Sequence, residues 1–158
     1  MDRLARTLHG DELKVAFAFL LTMPGAPFIY YGDEIGLRYV ENLVSVEGGY
    51  SRTGSRSPMQ WNHGVNFGFS NASPEKLYIP TDDKPNSPTV EDQINDPDSL
   101  YHEVKKLIAI RRANSALLSD GDIEFVSDGA DGAPLAYIRS SADEKILVVV
   151  NPADREAV

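Results

Sequence analysis

PGAPFIYYGDEIG, residues 24–36, decides how this chain is read. Pro24, Gly25 and Pro27 break whatever precedes them, and residues 28–31 then form a short apolar run. Gly32 ends the run, and two carboxylates, Asp33 and Glu34, follow it at once. An apolar strand with acids just past its C-terminal end is how parallel α/β sheets present chemistry. A parallel strand also needs parallel neighbours joined by crossover connections. The rest of the chain supplies no such neighbours.

Upstream, Asp11 is placed to cap a helix whose Leu13, Val15, Ala16, Phe17, Phe19, Leu20 and Leu21 are apolar nearly all round. Such a helix is expected to be covered on most sides and to stop by Pro24. From Gly32 to about Asn95 no helical or strand period is sustained. Glycine, proline, asparagine, serine and aspartate dominate there, interrupted by Tyr50, Trp61, Phe67, Phe69 and Tyr78. A loop of this length is more often functional than idle, and linkers rarely carry so many aromatics.

Asp96-Pro97-Asp98-Ser99 reads as a second helix start, with Asp96 as cap and Pro97 in the first turn. Leu100, Val104, Leu107, Ile108 and Arg111 fall on one face, and basic residues gather toward the C-terminal end, where cations suit the macrodipole. The period then changes. Residues 123–127, 135–139 and 145–150 read as strands, separated by turn sequences at 128–132 and 141–144. The run from Ile146 to Val150 is apolar on both faces and reads as a central strand.

Composition narrows the function classes. The net charge of −9 and the scattered basic residues argue against a polyanion partner. No apolar run approaches the roughly 20 residues of a membrane span, and no secretory signal follows Met1-Asp2-Arg3. Cysteine is absent, which fits a cytoplasmic protein with neither disulfides nor a thiolate metal site. His9, His63 and His102 lack metal-ligand spacing, and Asn71-Ala72-Ser73 is an incidental glycosylation sequon. One parallel-type strand and three antiparallel ones do not complete a single sheet. The chain is therefore expected to be a fragment of a longer protein, covering the end of one domain and the beginning of the next.

Three segments carry a resemblance to glycoside hydrolase family 13, the α-amylase superfamily. PGAPFIYYGDEIG is similar to the family's eighth barrel strand and the start of its loop. RSPMQWN, residues 56–62, is similar to a loop segment of the α-glucosidase-like branch, which includes oligo-1,6-glucosidases, trehalose synthases and amylosucrases. LIAIRRANSALLSDGD, residues 107–122, is similar to the last barrel helix leading into an all-β C-terminal domain. The resemblance implies an α/β-plus-β fold: the C-terminal end of a (β/α)8 barrel over residues 1–115, then the first strands of an antiparallel β-sandwich over 116–158. Within the barrel part it implies strand eight at 26–31, a long loop at 32–95 and the final helix at 97–113.

The resemblance also implies a retaining mechanism on α-linked glucosides, with a carboxylate nucleophile and a carboxylic acid/base. Those groups and a third, transition-state-stabilising aspartate follow strands four, five and seven of the family's barrel, and none lies in this sequence. The isolated chain is thus expected to be inactive and to work with the remainder of the same barrel; no cofactor or metal is assigned to it, although some family members bind calcium through loops outside this region. By resemblance Arg56 binds the terminal glucose, as a forked guanidinium can, and Glu34 contacts the neighbouring sugar or orders the loop. Asp33 reads as structural. It cannot pair with Glu34 as acid and nucleophile, because adjacent strand residues face opposite sides. Tyr30, Tyr31 and Trp61 read as core. A rival reading is a non-catalytic carbohydrate-binding module, for which Phe125 and Tyr137 are the available strand aromatics.

Overall fold

The computed structural model describes residues 2–130, 133–153 and 156. Met1, and Asp131 and Gly132 of the anticipated turn, lie outside them. The chain divides into two compact units, one of Met1–His9 with Ile29–His102 and one of Gly10–Phe28 with Glu103–Val158. This division does not follow the boundary near residue 115 read from the sequence.

The first unit is built from single 3-10 turns: Leu4–Arg6, Asp33–Ile35, Thr53–Ser55, Val65–Gly68 and Pro74–Lys76. Gly32 enters the second of these with φ of 85°, and a Cβ there would stand 2.7 Å from Leu37 Cδ2, so only glycine fits. The long loop is not loose. Arg38 bonds Asp82 Oδ2 at 2.8 Å and also donates to Ser87 Oγ and the Lys84 and Pro85 carbonyls. Ser87 in turn donates to the Asp82 carbonyl at 2.9 Å. Side chains thus do for this loop what a ladder does for a sheet, satisfying its backbone groups.

Two expectations for this region need correction. Residues 26–31 join no ladder, since among the described residues the only named strands are the three described below. The reason is physical: an apolar run becomes a strand only when a neighbour takes its backbone hydrogen bonds. Residues 90–95, read as loop, form a short helix, the second of the chain, whose start is fixed by the Thr89 side chain at its cap position. Thr89 Oγ1 accepts from the Asp92 amide at 3.1 Å and donates to Asp92 Oδ2 at 2.8 Å. The Gln60 and Trp61 carbonyls take the amides of Val90 and Glu91.

In chain order the helices are therefore α1 (Asp11–Thr22), α2 (Val90–Asn95) and α3 (Leu100–Ala113). Helix α3 begins at Leu100, not at 97. Asp96 Oδ1 closes a turn onto the Asp98 amide at 3.0 Å, while Ser99 Oγ caps the helix by accepting from His102 at 3.4 Å. Its buried face is Leu100, Val104, Leu107 and Arg111, whereas Ile108 is exposed. Helix α1 has Gly10 at its cap position, with φ of 52°, and Asp11 already lies inside its first turn. Its buried side chains are Leu13, Phe17, Leu21 and Thr22, one stripe only, so Phe19 is partly exposed and the helix is not covered on most sides.

The second unit holds an antiparallel sheet of β1 (Asp122–Asp128), β2 (Leu135–Ser140) and β3 (Lys145–Val150), in the order β1-β2-β3. A register shift between Phe125 and Ser127 marks a bulge in β1. Strand β3, read as central, is an edge strand, and β2 is the central one. Ile146, Val148 and Val150 pair with Arg139, Tyr137 and Leu135. Leu147 and Val149 point the other way and stay 60% and 56% exposed. Tyr137, Phe17, Ala116 and Leu117 are fully buried, and two buried arginines take backbone carbonyls. Arg111 donates to Leu21, Met23 and Gly25, and Arg139 to Thr22, Leu118, Gly121 and Asp122. Arg111, placed by its spacing on the apolar face of its helix, is buried there.

Candidate functional site

Arg56 leaves the 3-10 turn Thr53–Ser55 at its C-terminal cap, where its amide bonds the Thr53 carbonyl. Its side chain is exposed and meets no hydrogen-bond or ion-pair partner among the described residues. It lines a cleft of about 310 Å³ together with Tyr31, Pro58, Met59, Phe69, Tyr78 and Ile79. An unpaired guanidinium among aromatic and apolar walls suits a ligand with hydroxyls on its edge and C–H groups on its faces.

Tyr31 stands in the wall of this cleft and not in the core, which corrects the reading of that residue. Its hydroxyl donates to the Ser57 carbonyl at 3.0 Å. Burial pushes its phenol up to about 12, with Tyr30 adding to the shift and Arg3 opposing it. Trp61 is also exposed and lies outside the cleft. The loop beyond it is tightly wound: Asn66 and Phe67 take φ of 48° and 55°, and the Phe67 carbonyl accepts from Trp61 and Asn62. His63 Nε2 meets Asp92 Oδ2 at 2.8 Å.

Glu34 sits in the turn Asp33–Ile35, half-buried, and its Oε2 is buried without a hydrogen-bond partner. It does not line the cleft, so Glu34 and Arg56 are not brought together there. Asp33 is buried and ion-paired to Arg3 at 3.1 Å. Burial nevertheless outweighs the arginine and holds the Asp33 carboxyl above the usual carboxylate range.

Arg3 is the residue that sequence reasoning missed. It is only 2% exposed. Its Nη1 donates to the Tyr31 carbonyl and to Asp33 Oδ1, and its guanidinium carbon lies 4.4 Å and 4.7 Å from the Tyr30 and Tyr31 ring centres. Its counter-ion Asp33 lies thirty positions away, so no local pattern in the sequence points to it.

Residues 2–121 match the family described as alpha amylase, catalytic domain. This chain belongs to that family. It is 38% identical over 159 residues to the trehalose synthase of Pimelobacter sp. (strain R48), a match covering 94% of this chain and 26% of that protein. It is 35% identical over 176 residues to the glucan 1,6-alpha-glucosidase of Streptococcus pneumoniae serotype 4, covering 94% of this chain and 32% of that one. The crystal structure of trehalulose synthase MutB from Pseudomonas mesoacidophila MX-45 superposes with a TM-score of 0.72 at 27% identity, over 89% of this chain and 29% of MutB. A MutB variant is known in complex with its substrate sucrose, and it matches this chain at 30% identity with a TM-score of 0.70, over 88% of this chain and 29% of that one. The α-amylase-family chain described here therefore spans about a quarter to a third of these relatives' length. The relatives are of the α-glucosidase-like and transglucosylating kind that RSPMQWN suggested. Among the described residues no helix is long and apolar enough to cross a membrane.

Proposed function

We propose that this chain supplies one wall of the substrate pocket of a retaining α-glucoside hydrolase or transglucosylase, with Arg56 as the sugar-binding residue. The observation that carries the reading is Arg56 itself: a free guanidinium in a cleft walled by Tyr31, Phe69 and Tyr78. Aromatic walls offer stacking area to a pyranose ring, and the guanidinium offers a fork of donors to its hydroxyls. Membership of the α-amylase family supports the substrate class, α-linked glucosides. Residues 1–115 are assigned to the end of the catalytic barrel and 116–158 to the start of an all-β domain. Glu34 is assigned to the rim, ordering the turn beside the pocket.

The chain alone is proposed to be inactive, because the residues of such a mechanism lie in parts of the relatives that it does not span. Titration of the chain with maltose, followed by calorimetry, tests the binding role. Weak binding that Arg56→Ala abolishes supports the reading, and binding unaffected by Arg56→Ala overturns it. Hydrolysis of p-nitrophenyl α-glucoside by the pure chain above background would overturn the claim of inactivity.

The carbohydrate-module alternative loses its main residue. Tyr137 is fully buried and bonded inside the second unit, which leaves Phe125 as the exposed one of the two strand aromatics.

A further inference from the structure

We infer that Arg3 is a positioning residue for Arg56, acting through Tyr31 and the Ser57 carbonyl. The links are all within the first unit. Arg3 grips both ends of the turn that follows Tyr30, donating to the Tyr31 carbonyl and to the Asp33 carboxylate. Its guanidinium also lies against the rings of both Tyr30 and Tyr31, which stand side by side. Its Nε and Nη2 find no acceptor, so the aromatic faces take the place of further hydrogen bonds. Tyr31 is thereby held by its carbonyl and by its ring.

The far end of that ring does the next step. The Tyr31 hydroxyl donates to the Ser57 carbonyl at 3.0 Å, immediately after Arg56. On the other side of Arg56, its amide bonds the Thr53 carbonyl at 2.9 Å. The Arg56 backbone is therefore pinned before and after the side chain that enters the cleft. The Tyr31 bond thus fixes the backbone from which the Arg56 side chain enters the cleft. Lysine cannot replace Arg3 here, because a point charge has no planar face for two rings and no rigid edge to span a carbonyl and a carboxylate.

The inference rests on the proposed sugar-binding role of Arg56 only for its consequence in binding, so two readouts keep them apart. The first is the rate at which phenylglyoxal modifies Arg56 in the 158-residue chain, followed by peptide mass spectrometry. Arg3→Lys, Tyr31→Phe and the double variant should change that rate by a similar factor, roughly threefold to tenfold, as loss of one fixing hydrogen bond would. Independent, multiplicative effects of the two substitutions would overturn the path, as would unchanged rates in both. If Arg3→Lys fails to fold, Tyr31→Phe decides alone, since it keeps the ring and the Arg3 contacts. An unchanged Arg56 rate in Tyr31→Phe overturns the inference.

The second readout is maltose affinity. It should fall in Arg3→Lys and Tyr31→Phe and stay at the wild-type value in Arg139→Lys, a control that disturbs the other unit. Equal loss in all three variants would mean general destabilisation and would overturn positioning. Absence of binding in the wild type would overturn the proposed function, while the phenylglyoxal rates would still judge the role of Arg3.

Discussion

The Tyr137 hydroxyl, in the middle of β2, shares a short hydrogen bond with Oγ1 of Thr22, the last residue of α1. Thr22 also donates to the Ala18 carbonyl at 2.6 Å, which makes Tyr137 the donor in the shared bond. Burial is the leading cause that raises the Tyr137 phenol above its ordinary value, and the bond to Thr22 opposes it. Tyr137→Phe removes the bond and leaves the ring. It should cost about 1 kcal/mol, whereas Tyr137→Ala should cost about 3–5 kcal/mol through the cavity it leaves. Urea unfolding followed by circular dichroism measures both. Equal costs would mean the hydroxyl, not the ring, holds the sheet to the helix.

Arg139 is a buried cation whose recorded partners are all backbone carbonyls, four of them. Burial lowers its tendency to hold a proton, and the charge of Arg111 adds to this. Arg139→Lys keeps the charge but cannot reach carbonyls on both sides of a planar fork. The expected cost is about 2–3 kcal/mol, from one or two charge-assisted bonds lost. A cost below about 0.5 kcal/mol in the same urea measurement would contradict the role given to the fork.

Asp33 and Asp92 should titrate on opposite sides of the ordinary value of 3.8. The Asp33 carboxyl is raised by burial, so the unfolded chain releases this proton first. Its contribution to stability is full below 3.8 and is lost as pH rises through the native value. The Asp92 carboxyl is lowered, chiefly by the Thr89 hydroxyl and also by His63, so its contribution is present above 3.8 and lost as pH falls through the native value. Carboxyl carbon shifts by NMR would report both midpoints. Thr89→Val should move Asp92 upward more than His63→Gln does; the reverse order would show that the histidine dominates.

Gly54 and Arg56 are two residues apart and should respond oppositely to alanine. A Cβ at Gly54 would stand 2.3 Å from the Val40 carbonyl oxygen and 2.7 Å from the Tyr39 ring. Gly54→Ala therefore requires backbone movement and should cost about 1–3 kcal/mol. Arg56→Ala removes an exposed side chain that has no hydrogen-bond or ion-pair partner among the described residues and should fall within about 0.5 kcal/mol of wild type. Thermal melts of the two variants provide the test, and a large loss in Arg56→Ala would mark it as structural.

The sequence made the sheet legible because each strand alternates or runs apolar between strong turn signals, and the bounds found differ by at most one residue at an end. Helices α1 and α3 were legible from their apolar spacing, but their caps were not. Asp11 and Asp96 both have the right chemistry to cap, and Gly10 and Ser99 hold the positions. Helix α2 is too short to show a period, and its stability comes from Thr89 and Asp92 rather than from an apolar stripe. The central place expected of β3 failed for a different reason. An apolar run reports that a strand has little polar surface, not how many strands flank it. RSPMQWN singled out Arg56, which the structure places in the lining of the cleft. Arg3 was not legible, since a lone arginine has no local pattern that tells burial from solvation, and its counter-ion lies thirty positions away.

The outward face of the sheet has a consequence for handling the protein. Leu147 and Val149 are exposed there on β3, which among the described residues pairs with β2 alone. The chain's net charge of −9 keeps copies apart by mutual repulsion at low ionic strength. Raising the salt shortens the reach of that repulsion to about 8 Å at physiological strength, while apolar attraction between the faces persists. Colloidal stability should therefore run opposite to the usual salting-in of an acidic protein. Sedimentation velocity across a salt series should show weight-average mass rising with ionic strength, and Leu147→Lys with Val149→Thr should flatten that rise.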